Sequence, residues 1–237
     1  MSVTCQFDLC DGSGFLIDEE TNTARDCRCR AGRVSRARSR SLSGVIPRRY
    51  RLASFDAPPV VDLPAPQVRM VRDFTRRIDE KLDTGRGLWL FGGVGTGKTT
   101  LAMLVSRHAL EAGRSVAIYS LPRLLAELRS TFDDDAEQSY TQLLDRLAAV
   151  DLLHIDDVGA EQSSPWVLEQ LYALINARYE DERSVVLTTN IEERDELAKQ
   201  IGERTVSRLQ EMCELIPLFG QDARATYQAQ RPVERAS

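Results

Sequence analysis

Eight consecutive residues, Gly92-Gly93-Val94-Gly95-Thr96-Gly97-Lys98-Thr99, fit the pattern G-x-x-x-x-G-K-T in full. The chemistry of that pattern is triphosphate binding. Glycines let the backbone curl so that its N–H groups face phosphate oxygens. Lys98 supplies a charge for the β- and γ-phosphates, and the Thr99 hydroxyl is a magnesium ligand. Thr100 continues the turn of helix that opens there. The segment follows an apolar stretch at 87–91 and precedes a helical pattern, the context the motif needs. The positive end of that helix faces the same anion. Composition sharpens the reading. The chain has 28 arginines and three lysines (81, 98 and 199), and one of the three sits where the motif requires lysine.

A second constellation is Leu152-Leu153-His154-Ile155-Asp156-Asp157. An apolar strand delivers two carboxylates at its C-terminal end, where ligands gather in an open α/β sheet. Asp156 is placed to hold Mg²⁺ directly or through water. Asp157 is a candidate to orient or deprotonate the attacking water. His154 lies within the strand and reads as a packed residue. A third apolar strand, 184–189, ends at Asn190, a candidate partner for the γ-phosphate or the lytic water, with Thr189 a weaker one. Beyond it stand Arg204, Arg208 and Arg224. Guanidinium groups suit the charge that develops on equatorial phosphoryl oxygens, yet spacing alone makes each of them a surface arginine.

Four of five cysteines, Cys5, Cys10, Cys27 and Cys29, fall within the first 30 residues. Four thiolates suit a tetrahedral zinc site, and Gly12 and Gly14 free the backbone around it. The spacings, four residues and one, are unusual for zinc, so free thiols stay open as the alternative. Cys213 reads as a small core residue of an apolar helix.

These groups need a sheet to hold them. Short apolar strands at 87–91, 115–119, 151–155, 185–189 and 215–218 alternate with helical patterns at 99–112, 121–131, 138–149, 165–182, 193–200 and 203–213. A helix face at Val68, Val71, Phe74, Ile78 and Leu82 precedes them. Such alternation predicts a parallel sheet covered on both faces. The division expected is a Cys-rich module at 1–30, an Arg/Pro-rich linker at 31–62 and the α/β domain at 63–237. Residues 25–51 hold ten arginines against one acid, Asp26, in a chain of net charge −5. That run suits a polyanionic partner or a solvated linker equally. No apolar run is long enough to span a membrane and no secretory pattern opens the chain, so a cytoplasmic protein is expected.

The order of the motifs resembles the DnaC/DnaI/IstB group of AAA+ ATPases. It comprises the Gly92–Thr99 loop, Leu152-Leu153-His154-Ile155-Asp156-Asp157-Val158-Gly159, Leu187-Thr188-Thr189-Asn190, and Gly202-Glu203-Arg204 leading to Ser207-Arg208-Leu209. The entry stretch Ile46-Pro47-Arg48-Arg49-Tyr50-Arg51 and the cysteine module resemble it too. The resemblance implies a three-layer AAA+ sandwich with a reduced or absent lid and an ATP-dependent oligomer. It assigns Asn190 as sensor 1, Arg208 as the arginine finger acting in trans and Arg224 as sensor 2. It implies delivery of a replicative helicase to DNA, with single-stranded DNA near the helix at 121–131, which carries Arg123 and Arg129 with Phe132 just beyond. Competing readings are a transposition helper ATPase, a P-loop kinase for a small molecule, and a nucleotide-gated adaptor with little turnover.

Overall fold

The computed structural model describes residues 5, 9–18, 21, 23–30, 46–133, 135, 138–159, 163–220 and 222. Five parallel strands form its centre: β3 (Gly87–Phe91), β4 (Val116–Ser120), β5 (Leu152–Val158), β6 (Ser184–Thr189) and β7 (Cys213–Pro217). Their order is β4-β5-β6-β3-β7. The strand that feeds the glycine loop therefore pairs with β6 and β7, and β6 separates it from the carboxylate strand β5.

The inner strands are apolar throughout because both faces are covered. One face, bearing Leu88, Leu90, Ile118, Leu152 and Val186, packs under α1 (Ala65–Arg76), α2 (Ile78–Asp83) and α3 (Lys98–Glu111). The opposite face, bearing Trp89, Leu153, Ile155, Val185 and Leu187, packs under five helices. These are α4 (Leu121–Ser130), α5 (Tyr140–Ala149), α6 (Pro165–Glu180), α7 (Arg194–Ile201) and α8 (Glu203–Met212). The result is the three-layer α/β sandwich expected.

Local chemistry sets the helix boundaries. Ser139 and Gln142 form a reciprocal capping box on α5. Ser164 accepts from Val167 N ahead of α6, whose first residue is Pro165. The buried guanidinium of Arg178 donates to the carbonyls of Leu147, Ala148, Asp151 and Ser184. It thereby ties the end of α5 to the starts of β5 and β6. Burial pulls its pKa down to about 9, so it still carries charge at neutral pH.

Four local features depart from the sequence reading. The single helix face at 68–82 is split at Arg77, whose φ of −110° and ψ of 28° break the helix between α1 and α2. Cys213 is not helical: it opens β7 opposite Gly87 and is buried there. Within the cysteine module, β1 (Phe15–Asp18) and β2 (Thr23–Asp26) form an antiparallel hairpin. In the stretch read as a linker, the described residues Ile46, Ala53, Phe55 and Val60 are buried in the core beside α1 and α3. Among the described residues, no helix is long and apolar enough to cross a membrane.

Candidate functional site

The loop after β3 curls on glycines that nothing else can replace. Gly92, Gly95 and Gly97 have φ of 135°, 77° and 92°. A Cβ on Gly92 would stand 2.1 Å from Leu218 O, and one on Gly97 would stand 2.6 Å from the Leu63 side chain. Gly97 is the left-handed residue from which α3 departs. Lys98 is 5% exposed, and its Nζ donates to Gly92 O at 2.7 Å and also to Gly93 O. Thr96 Oγ1 donates to Gly93 O at 2.9 Å. The ammonium is thus held across the mouth of the loop, with its charge directed inward. Thr99 is the second residue of α3, and Thr100 the third.

β5 ends beside it. Thr188 Oγ1 donates to Asp156 Oδ1 at 2.6 Å and accepts from Asp157 N at 2.9 Å. Asp157 adopts φ 58° and sits in a bulge between the paired residues Ile155 and Val158. A left-handed aspartate is strained, and such strain clusters at functional sites. Here it turns the Asp157 side chain outward, where it is exposed, while Asp156 stays half-buried. His154 is fully buried, and burial pulls its pKa down to about 3, so it is neutral. Its packing accords with the sequence reading. Asn190 follows β6 directly and is exposed, while Thr189 is buried.

The loop, Asp156 and Asn190 thus stand at the C-terminal ends of β3, β5 and β6. Arg208 stands apart, on α8 in the opposite layer from α3, with its guanidinium 4.1 Å from the Tyr179 ring centroid. Arg204 lies 5.9 Å from the Tyr172 ring. Arg224 lies outside the described residues.

The residues fit a magnesium-bound triphosphate. The glycine cradle has no room for side chains at Gly92, Gly95 and Gly97, an ammonium is held inside it, and a hydroxyl and a carboxylate flank it. One further observation supports the fit. An Asp222 carboxylate oxygen lies 1.8 Å from where a Cβ on Gly95 would be. The chain's own carboxylate therefore rests against the loop at Gly95. Leu63 and Tyr179 had no motif in the sequence to mark them, and Thr188 and Asp222 lay inside marked stretches without a role of their own. A groove of about 380 Å³ beside the loop, lined by Val60, Val61, Leu63, Val68, Arg72 and neighbours, was also unmarked.

Comparison with known proteins agrees with this geometry. The family described as "IstB-like ATP binding protein" matches residues 13–229. The chain belongs to this IstB-like family. It is 30% identical over 149 residues to the replicative helicase loader DnaC of Escherichia coli strain K12, covering 62% of this chain and 60% of that protein. The chain therefore spans under two thirds of the length of that curated relative. The crystal structure of the DnaC helicase loader superposes with a TM-score of 0.61 at 27% identity, covering 73% of this chain and 99% of that one. The DnaA initiator bound to AMPPCP and single-stranded DNA shares the fold, with a TM-score of 0.61 at 17% identity over 80% of this chain and 58% of that one. The fold is that of AAA+ proteins.

This IstB-like protein carries a second cluster. Cys5, Cys10, Cys27 and Cys29 place their sulfurs within 4.8 Å of one another. Cys5 and Cys27 are 3.8 Å apart, and Cys10 and Cys29 3.5 Å. Those separations exclude disulfides, whose S–S bond is about 2.05 Å. They match the roughly 3.8 Å edges of a tetrahedron built on Zn–S bonds of about 2.3 Å. Gly12 and Gly14 have φ of 93° and 89°, and Gly14 O accepts from Cys27 N at 3.0 Å. Burial and the neighbouring thiols push the Cys29 pKa up to about 12.

Elsewhere in the same protein, Arg123 and Arg129 are exposed on α4. The Arg129 guanidinium lies 4.8 Å from the Trp166 ring. Phe132, just past α4, stacks on Tyr140 at 5.3 Å and is largely exposed.

Proposed function

We propose that the protein is a magnesium-dependent ATPase that delivers a replicative helicase to single-stranded DNA. The observation that carries the reading is the pairing of the Lys98 loop with the Thr188–Asp156 carboxylate across β6. Lys98 and the loop amides bind the phosphates. Thr99 and Asp156 would hold magnesium, which would supply charge neutralisation at the phosphate oxygens. Asp157 and Asn190 orient and activate the water. Arg208 reaches the nucleotide of a neighbouring subunit as an arginine finger, so ATP assembles the homo-oligomer and hydrolysis loosens it. Arg224 serves as sensor 2.

The DNA path runs along α4. Arg123 and Arg129 contact phosphates, and Phe132 offers a ring for base stacking, worth about 1–3 kcal/mol per base. The cysteine cluster holds one structural zinc and folds residues 1–30 as a separate module, ahead of an ATPase domain whose core already takes in Ile46, Ala53, Phe55 and Val60.

The test is capture of the organism's replicative helicase by the purified protein, with and without ATP. ATP-dependent capture is expected, together with single-strand binding that ATP tightens and that Arg123→Ala weakens without loss of nucleotide binding. A second reading, drawn from the resemblance to IstB proteins, is a transposition helper. Capture of a transposase in place of the helicase would establish that alternative.

A further inference from the structure

Side chains alternate along a strand, so His154 and Asp156 point to the same face of β5, the face covered by α3. Ser106 of α3 lies seven residues, two helical turns, beyond Thr99 and therefore on the same side of that helix. Its Oγ is 2.9 Å from His154 Nδ1, and both side chains are fully buried. The other ring nitrogen, Nε2, is buried without a hydrogen-bond partner among the described residues. It stands 4.0 Å from Asp156 Oδ1, the same oxygen that accepts from Thr188.

A neutral imidazole carries one N–H. In the tautomer in which the Ser106 hydroxyl donates to Nδ1, the ring N–H lies on Nε2 and faces the carboxylate. A buried donor left unmade is costly, and a carboxylate shift of about 1 Å brings the pair into hydrogen-bonding range.

We infer that His154 is a positioning residue for Asp156. It gives Oδ1 a second donor beside Thr188 and leaves Oδ2 for the metal. Through Ser106 it couples the carboxylate to the helix that carries Lys98 and Thr99. This rests on the reading of Asp156 as a magnesium ligand. No motif marks the role, because a strand position before the carboxylates asks only for a residue that packs.

The experiment is titration of ATP and ADP onto the full chain with and without Mg²⁺, on the wild type, His154→Leu, His154→Gln and Ser106→Ala. Magnesium is expected to strengthen nucleotide binding by the wild type. In His154→Leu the magnesium-free affinity stays within about twofold of the wild type, whereas about tenfold of the magnesium gain is lost. His154→Gln places an amide N–H where Nε2 was and recovers most of it. Ser106→Ala, a small change that leaves the core filled, loses about threefold of the gain. An equal magnesium gain in the wild type and Ser106→Ala would overturn the inference, as would equal losses in the Leu and Gln variants. A wild type whose nucleotide affinity ignores magnesium would instead overturn the reading of Asp156, and this inference with it.

Discussion

The guanidinium of Arg208 lies 4.1 Å from the centre of the Tyr179 ring, and the Tyr179 hydroxyl donates to Glu211 Oε1 at 2.8 Å. Glu211 and Arg208 share α8, and Tyr179 comes from α6. The arrangement holds a charged group against the layer opposite α3. In the proposed oligomer this is the guanidinium offered to a neighbouring subunit's nucleotide.

Arg208→Ala is expected to bind ATP like the wild type and to lose turnover by about a thousandfold or more, within the roughly 10³–10⁵ range such residues supply. Mixing it with Lys98→Ala tests the direction of the contact. The first variant has an intact loop and the second an intact arginine, so the mixture is expected to regain activity that neither has alone. Phosphate release from each variant and from the mixture checks both statements, and a mixture as inactive as its components would place Arg208 in its own subunit's site.

Thr188→Val keeps the volume of the side chain but removes the donor to Asp156 and the acceptor for Asp157 N. The strained turn at Asp157 then loses its anchor. A loss of about 1–3 kcal/mol in stability is expected, with turnover reduced by about tenfold. Thr188→Ser restores both bonds and is expected to behave like the wild type. Chemical denaturation and steady-state hydrolysis of the three proteins are the measurements, and wild-type values for the Val variant would refute the role.

Metal analysis is expected to find one zinc per chain, lost on Cys27→Ser. The pH sign follows from the thiols. In the metal-free module burial raises Cys29 to about 12, so it is protonated at neutral pH. Zinc takes thiolates, and its capture therefore releases protons. Affinity is expected to rise with pH between about 6 and 8, measured by competition with a chromophoric chelator. The thiols' own contribution to the metal-free module runs the other way. The raised pKa of Cys29 favours the fold below the unfolded value of 9, and that contribution is lost as pH climbs toward 12. A metal-free protein with four titratable N-terminal thiols would remove zinc from the picture.

The phosphate loop and the carboxylate strand were legible because their chemistry fixes residue types at fixed spacings. The parallel sheet was legible because fully buried strands such as Leu88–Leu90 read as unbroken apolar runs. The β1–β2 hairpin was not, since β2 is exposed at all four residues and carries no alternation. Cys213 was misplaced because Glu203–Met212 keeps helical periodicity up to its last residue, and only pairing with Gly87 turns the chain into a strand. Arg77 breaks a helix whose apolar face continues on either side, so periodicity alone joined the two halves. Thr188 looked like any strand threonine; its role appears only when β5 and β6 are set in register.

Nucleotide affinity of Lys98→Ala, measured with Mg-ATP on the full-length chain, is the most direct test that this loop holds a triphosphate. Removing an ammonium that hydrogen-bonds charged oxygens is expected to weaken binding by about tenfold to a hundredfold, while the melting transition shows the fold intact. A folded Lys98→Ala protein that binds Mg-ATP as tightly as the wild type would contradict the assignment of the site.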